Sequence, residues 1–200
     1  MSLLYCFRYS SDIGVKAVEL AATYRRQLRE RALDQYGYVS SGDASALGVP
    51  AIEVVKIAAR GGLDHIGRGL YRFNDVPHTG RDEFMEAVLR AGPRAFLIDD
   101  AVLALHDLGL VNPRRIRVGT PTRARPSLPA TIELVRRRVE PDDLTEYEGI
   151  PSTTIARALL DCRGLVMDER LVDAAREAAR RGLLPRREAD RVFKALGMTA

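Results

Sequence analysis

Glycine and proline divide residues 37 to 69 into short segments, and these helix-starting and helix-ending residues constrain the fold more than any other feature of the chain. Gly48 ends one segment, Pro50 opens the next, and the pair Gly61-Gly62 ends that one. Proline is favoured at the first position of a helix, and glycine just beyond its end. We therefore predict two short helices in close succession, over residues 43–47 and from Pro50 to about residue 60.

A longer helix is expected before this pair, beginning at Ser11 or Asp12 and ending at Gly37. Either residue can act as its N-cap. Apolar residues recur at spacings of three and four, which places them on one helical face. These residues are Ile13, Ala17, Leu20, Tyr24, Leu28 and Ala32.

A β-hairpin is predicted after the helices, over residues 63–73. Its strand residues lie on both sides of a turn at Gly67 to Gly69, with Arg68 at the tip. Three helices followed by a basic hairpin within about 55 residues indicate a winged helix-turn-helix. We assign that domain to residues 12–76 and leave residues 1–11 as an N-terminal arm.

The helix from Pro50 is the candidate recognition helix. Spacing predicts a buried stripe of Ile52, Val55 and Ala59, with polar side chains on the outward face. An α-helix fits the major groove of DNA, where outward side chains meet base edges. The alternatives are an ordinary solvated helix face and, for the hairpin, a surface turn whose arginines only aid solubility. The candidate DNA-binding residues are Ser41, Glu53, Lys56, Arg60, Arg68 and Arg72.

The segment from Asn74 to Gly80 is a linker, and a second domain is expected over residues 80–200. Helical patterns cover residues 81–91, Asp99 or Asp100 to Leu108, 152–163, 168–181 and 186–196, and short strands are predicted at 116–118 and 131–135. The fold class is therefore α+β, with the winged helix-turn-helix followed by a mostly helical C-terminal domain that contains a small β-sheet.

The strongest concentration of charge lies between Pro113 and Arg138. This segment contains eight arginines and a single acid, Glu133, although the whole chain carries a formal charge of only +4. Such a patch favours a polyanionic partner, either DNA or an acidic protein surface, unless the arginines alternate along a half-buried sheet. The patch consists of Arg114, Arg115, Arg117, Arg123, Arg125, Arg136, Arg137 and Arg138.

Composition and known sequence motifs narrow the classes of protein to which this chain could belong. Cys6 and Cys162 form no metal-binding pattern, so neither a zinc site nor a disulfide framework is expected. No run reaches the roughly 20 apolar residues of a membrane span, and no export signal is recognised, which favours a cytoplasmic protein. No phosphate-binding loop, kinase signature, nucleophile elbow or zinc-protease motif is present. His106 beside Asp99, Asp100 and Asp107 resembles an acid/base cluster, but helix capping explains it better.

Five segments in their order carry a resemblance to a known family. They are "ALDQYGYVSSGDASALGV", "AARGGLDHIGRGLYRF", "DEFMEAVLRAGPRAFLIDDAVLALHDLGLVNP", "GIPSTTIARALLDCRG" and "AARRGLLPRREADRVF". Together they resemble the AbiEi family of bacterial antitoxins, with the actinobacterial branch the most similar. The resemblance extends over about residues 31–195.

This resemblance implies a DNA-binding antitoxin of a type IV toxin–antitoxin system. Its members repress their own operon at inverted repeats and neutralise a nucleotidyltransferase toxin. An alternative from mycobacterial relatives is an atypical serine kinase that inactivates the toxin, which alone would require ATP and Mg²⁺; otherwise no cofactor is expected. A third interpretation is an interaction module that docks the toxin but has lost DNA binding.

Two departures from the family pattern bear on function. Relatives place Arg or His near the start of the recognition helix, where this chain has Pro50, Ala51 and Ile52. We therefore expect weak direct base readout and more reliance on phosphate contacts and the hairpin. Relatives also have Ser-His where this chain has Asp99-Asp100, so no role of that pair is transferred.

Overall fold

A computed structural model describes residue 20, residues 22–123 and residues 127–197. The chain divides after Thr79 into two compact units, here called the N-terminal and C-terminal domains, and each is described by itself. The predicted arm, residues 1–11, and the predicted helix start at Ser11 or Asp12 lie outside the described residues.

The N-terminal domain follows a helix–strand–helix–helix–strand–strand order. Helix α1 covers residues 22–33 in the described part of the chain. The remaining elements are β1 (Tyr38–Ser40), α2 (Ser41–Ala46), α3 (Ala51–Ala59), β2 (Leu63–Gly67) and β3 (Leu70–Phe73). Helices α2 and α3 form the helix-turn-helix, and β2 and β3 form the hairpin that follows it, as in a winged helix-turn-helix.

The three strands form one antiparallel sheet in the order β1-β3-β2. Strand β1 pairs with β3 so that Val39 lies opposite Tyr71, and the sequence did not predict this strand. Its signal is short, because only Tyr38 and Val39 are strand-forming residues before Ser40 caps α2. The extra strand fixes one edge of the hairpin to the start of the helix-turn-helix.

The core of this domain lies between α1, α3 and the sheet. Leu28 and Ala32 of α1 are fully buried, as predicted, and pack in one cluster with Val54, Ile57 and Phe73. Tyr24 is partly buried against the same cluster. Leu20, also predicted to face the core, is exposed instead.

The C-terminal domain combines a sheet with five helices in the described residues. The helices are α4 (Asp82–Ala91), α5 (Asp100–Leu105), α6 (Ile155–Asp161), α7 (Asp168–Arg180) and α8 (Arg186–Ala195). The strands are β4 (Phe96–Leu97), β5 (Ile116–Thr120), β6 (Ile132–Arg136), β7 (Leu144–Tyr147) and β8 (Ile150–Thr153). The prediction of a mixed α+β chain is confirmed.

The sheet of the C-terminal domain is larger than the sequence indicated. Its order is β6-β5-β4-β8-β7, with parallel pairs β5–β6 and β4–β8 and antiparallel pairs elsewhere. Only β5 and β6 were predicted. The central strand β4 has two residues, too few for a periodic pattern, and β8 ends where a helix start was predicted, because Ser152, Thr153 and Thr154 all suit an N-cap. Thr154 is the cap, since its hydroxyl accepts a hydrogen bond from the Arg157 amide.

None of the helices in the described part of the chain combines the length and apolar character needed to cross a membrane.

His106 follows α5 and is buried within the C-terminal domain. Its ring lies against that of Tyr147, with 4.1 Å between centroids, and Arg81 stacks over the same tyrosine. Burial, together with the positive charges of Arg181 and Arg81, lowers the pKa of His106 from 6.5 to about 4. The imidazole is therefore neutral near pH 7 and acts as a packed ring.

We predict that His106 makes the C-terminal domain less stable in mild acid. Because its pKa is lower folded than unfolded, the unfolded chain takes up a proton as pH falls from about 6.5 towards 4, and stability falls with it. Between pH 7 and pH 5 the free energy of unfolding should drop by roughly 1 to 2 kcal/mol on this account. Denaturant titration of the wild type and of His106→Gln measures it. The variant should lose most of this drop, while His78→Gln should keep it; an unchanged drop in His106→Gln contradicts the prediction.

Candidate nucleic-acid interface

A reciprocal capping box fixes the start of the helix-turn-helix. The Ser40 hydroxyl accepts a hydrogen bond from the Asp43 amide, and the Asp43 carboxylate accepts one from the Ser40 amide at 2.8 Å. The same carboxylate forms an ion pair with Arg31 of α1 at 2.9 Å. Burial alone would raise the pKa of Asp43, but the bonds from Ser40 and Arg31 hold it below its ordinary value. One carboxylate thus joins α1, β1 and α2.

The hairpin tip is seated on the first residue of α2. The Ser41 amide donates to the Gly69 carbonyl at 2.7 Å. Gly69 has a φ of +67°, and a Cβ there would lie 2.9 Å from the Ser41 hydroxyl. The predicted DNA-binding residue Ser41 is exposed and lies beside the hairpin. Arg68, at the hairpin tip, is also exposed.

Helix α3 is rotated relative to the prediction. Val54 and Ile57 are its buried residues, whereas Ile52 is 59% exposed and Val55 50% exposed. The predicted buried stripe of Ile52, Val55 and Ala59 is therefore wrong, since all three face solvent. Apolar residues occur around most of this helix, so periodicity alone did not distinguish the two faces.

The polar residues of α3 differ in their exposure and in their partners. Lys56 lies on the exposed face between Ile52 and Ala59, and Arg60 follows at the end of the helix, exposed. Glu53 is half-buried at the edge of that face and accepts a hydrogen bond from the Lys56 ammonium at 2.8 Å. Arg60 is thus exposed to a ligand, whereas Lys56 reaches one by sharing or exchanging its bond to Glu53.

Arg72 faces inwards and is removed from the candidate interface. Its side chain is 4% exposed and donates hydrogen bonds to the carbonyls of Phe73, Val76 and Pro77. The guanidinium also lies 5.6 Å from the centre of the Tyr38 ring. It stabilises the chain after β3, which is a structural role that a lone arginine in a strand pattern does not reveal.

The arginine patch belongs to the C-terminal domain and separates into two groups. Arg117 pairs with Asp100 and with Glu133 at 3.3 Å, and Arg137 pairs with Asp99 and with Asp161 at 3.2 Å. These two arginines neutralise buried or half-buried acids of their own domain. Burial raises the pKa of Asp99 in spite of the neighbouring Arg137. The pairing corrects the assignment of Arg117 and Arg137 to a partner-binding surface.

The other patch residues face solvent, apart from Arg125, which lies outside the described residues. Their side chains have no ion-pair partner in the part of the chain that the structure describes. Arg114 and Arg115 line a cavity of about 490 Å³ together with Arg170, Leu165 and Met167. Met167 is 65% exposed. The exposed patch residues are Arg114, Arg115, Arg123, Arg136 and Arg138.

The candidate catalytic side chains do not form a cluster in the part of the chain that the structure describes. His106 is packed against Tyr147, while Asp99 and Asp100 are paired with Arg137 and Arg117, so the acid/base cluster considered from the sequence is not formed. Within the described ranges, no group of three or more His, Cys, Asp or Glu side chains is placed to hold a metal ion.

The element order and the exposed α3 face define the N-terminal domain as a helix-turn-helix domain of the DNA-binding type. Residues 26–74, from α1 to the end of the hairpin, match the family model for the transcriptional regulator AbiEi antitoxin. The resemblance to AbiEi antitoxins is thereby confirmed over residues 26–74. No curated protein matches the chain.

We predict that Asp43→Ala destabilises the N-terminal domain by about 1 to 2 kcal/mol at pH 7, because the Ser40 amide and Arg31 both lose their acceptor. The pKa of Asp43 is lower folded than unfolded, so its contribution is present above its ordinary pKa and disappears as pH falls through the folded value. Thermal unfolding of the wild type, Asp43→Ala and the exposed control Asp34→Ala measures this. A deficit that stays unchanged as the pH falls from 7 through the folded pKa of Asp43 would contradict it.

Proposed function

We propose that this protein is the antitoxin and autorepressor of a toxin–antitoxin operon. In this proposal the N-terminal domain binds inverted repeats in the operator, and the C-terminal domain counteracts a nucleotidyltransferase toxin encoded beside it. The observation that carries the proposal is the AbiEi family match over a helix-turn-helix whose third helix and hairpin tip expose cationic side chains. Two half-sites related by inverted symmetry would engage two copies of the domain.

Lys56, Arg60 and Arg68 are the side chains proposed to hold the DNA. Lys56 and Arg60 extend from the end of α3, and Arg68 extends from the hairpin tip beside α2. Cations arranged on a recognition helix and on a following hairpin suit the phosphates on both sides of a groove. Each phosphate neutralised releases counterions, so affinity should depend steeply on salt.

The triple variant Lys56→Ala, Arg60→Ala, Arg68→Ala is expected to bind its promoter fragment more weakly and with a flatter salt dependence. The slope of log K against log salt should fall by about 0.9 for each phosphate that the variant no longer neutralises. Fluorescence anisotropy at several salt concentrations measures both quantities. The matched control is Arg176→Ala, Arg180→Ala, Arg187→Ala, which removes the same charge from exposed positions of the C-terminal domain. If both triple variants bind like the wild type, the assignment of these residues is wrong.

The surface around Arg114 and Arg115 is proposed to contact the toxin rather than DNA. These arginines share their cavity with Leu165 and with the exposed Met167. Arginine and methionine are enriched at protein interfaces, and the carboxylates of Asp100 and Glu133 in the same lining disfavour a phosphate. The exposed arginines would complement acidic groups on the partner.

The double charge reversal Arg114→Glu, Arg115→Glu is expected to abolish protection against the toxin and leave promoter binding unchanged. Growth after toxin induction measures protection, and the anisotropy assay measures DNA binding. Arg176→Glu, Arg180→Glu is the charge-matched control and should protect fully. Loss of promoter binding in the first variant would instead assign the patch to DNA. Transfer of labelled phosphate from ATP to the toxin by the wild type would favour the kinase alternative.

A further inference from the structure

The exposed face of α3 is predominantly apolar, and neither phosphate contacts nor toxin binding explains it. Ile52, Val55 and Ala59 lie side by side on this face, with Lys56 between them. We call these four residues the α3 face.

This face is not part of the domain core. The same helix packs against the core through Val54 and Ile57 on its opposite side. A solvated helix normally has polar residues on its outer side, because apolar surface left in water is unfavourable. Two exposed β-branched side chains in the first half of a candidate recognition helix therefore indicate an occupant that contains an apolar group.

The charges around the face identify the class of occupant. Lys56 lies on the face, Arg60 lies at its end, and Arg68 lies on the neighbouring hairpin, all exposed. Lys56 is paired with the acid at the border, Glu53, so the net positive charge around the face comes from Arg60 and Arg68. A protein partner would fit the apolar residues alone, but an apolar strip bordered by cations fits a polyanion with apolar groups inside a groove. The major groove of duplex DNA has this chemistry, and its apolar group is the thymine 5-methyl.

The start of the same helix lacks the side chains that read bases by paired hydrogen bonds. Its first three positions after the turn are Pro50, Ala51 and Ile52, where Asn, Gln or Arg would be needed to bind a purine edge. Base readout by this part of α3 must therefore come mainly from shape and apolar contact. A thymine methyl is the major-groove feature that an aliphatic side chain can distinguish.

We propose that Ile52 and Val55 determine operator specificity by packing against thymine methyl groups in each half-site. The proposal rests on the proposed function, since it requires that the domain binds DNA. Lys56 is left to a phosphate or a guanine, and Ala59 allows close approach of the helix. The operator half-sites should accordingly contain thymines at the positions facing α3.

Replacing thymine by deoxyuridine provides a direct test, because it removes only the methyl group and leaves every hydrogen-bonding group of the base in place. The promoter fragment is amplified with either dTTP or dUTP, and the affinity of the full-length protein for the two products is compared. Removing one buried methyl should weaken binding about fourfold, so two such methyls per half-site should weaken it by more than about tenfold. Single deoxyuridines placed across a footprinted half-site then locate the contacts.

Variants of the protein distinguish methyl contact from a general effect of uracil on DNA shape. Ile52→Ala, Val55→Ala should bind the thymine fragment more weakly and should bind both fragments nearly equally. Leu33→Ala, at an exposed leucine on α1, is the control and should retain the full preference for thymine. Circular dichroism confirms that the variants are folded, which is expected because the replaced side chains are exposed.

Each remaining outcome overturns the inference in a recognisable way. Specific promoter binding that is equally tight with deoxyuridine refutes methyl readout and leaves the proposed DNA-binding function intact. No specific binding of either fragment refutes the proposed function and the inference together. If Ile52→Ala, Val55→Ala binds DNA normally but changes from dimer to monomer on sedimentation, the α3 face joins two copies of the chain and does not read bases.

Discussion

The Asp43 carboxylate is the interaction on which the geometry of the N-terminal domain depends. It completes the cap of α2 with Ser40 and pairs with Arg31 of α1. Ser40 is also the last residue of β1, so the same group sets the angle at which the strand turns into the helix. The adjacent residue, Ser41, supports the hairpin tip through Gly69. The positions of α2 and the hairpin therefore follow from interactions made by Ser40, Ser41 and Asp43.

Ion pairing has a comparable part in the C-terminal domain. Asp161 accepts from both Arg137 and Arg157, while Asp100 and Asp99 each accept from one arginine. Buried carboxylates of this kind are costly unless they are paired, and removal of one partner leaves an uncompensated charge. Part of the arginine-rich segment consequently serves the fold, and only the remainder is available to a partner. Charge counted along a sequence does not separate these two uses.

The order of elements in the N-terminal domain followed from its sequence, because Gly48, Pro50 and Gly61 mark local conformations that do not depend on the rest of the chain. The rotation of α3 did not follow, since apolar residues occupy both of its sides and only tertiary packing selects Val54 and Ile57 for the core. Strand β4 escaped prediction because it is two residues long and depends on its neighbours β5 and β8. The exposure of Lys56, Arg60 and Arg68 was predictable because charged side chains are seldom buried without a partner, whereas helix spacing assigned the wrong apolar residues to the buried side of α3. The burial of Arg72 was not predictable, since its partners are carbonyls of the following turn.

The close contact between Gly69 and Ser41 has a consequence for the kind of DNA that the domain can accept. The hydrogen bond from the Ser41 amide to the Gly69 carbonyl and the close contact between these residues hold the hairpin tip against the first turn of α2. A hairpin held in this way has little freedom to follow a groove of different width. Sequences that hold a favourable groove width in advance would bind with less distortion, and stiffness of the duplex would then contribute to selection at base pairs that the protein never touches.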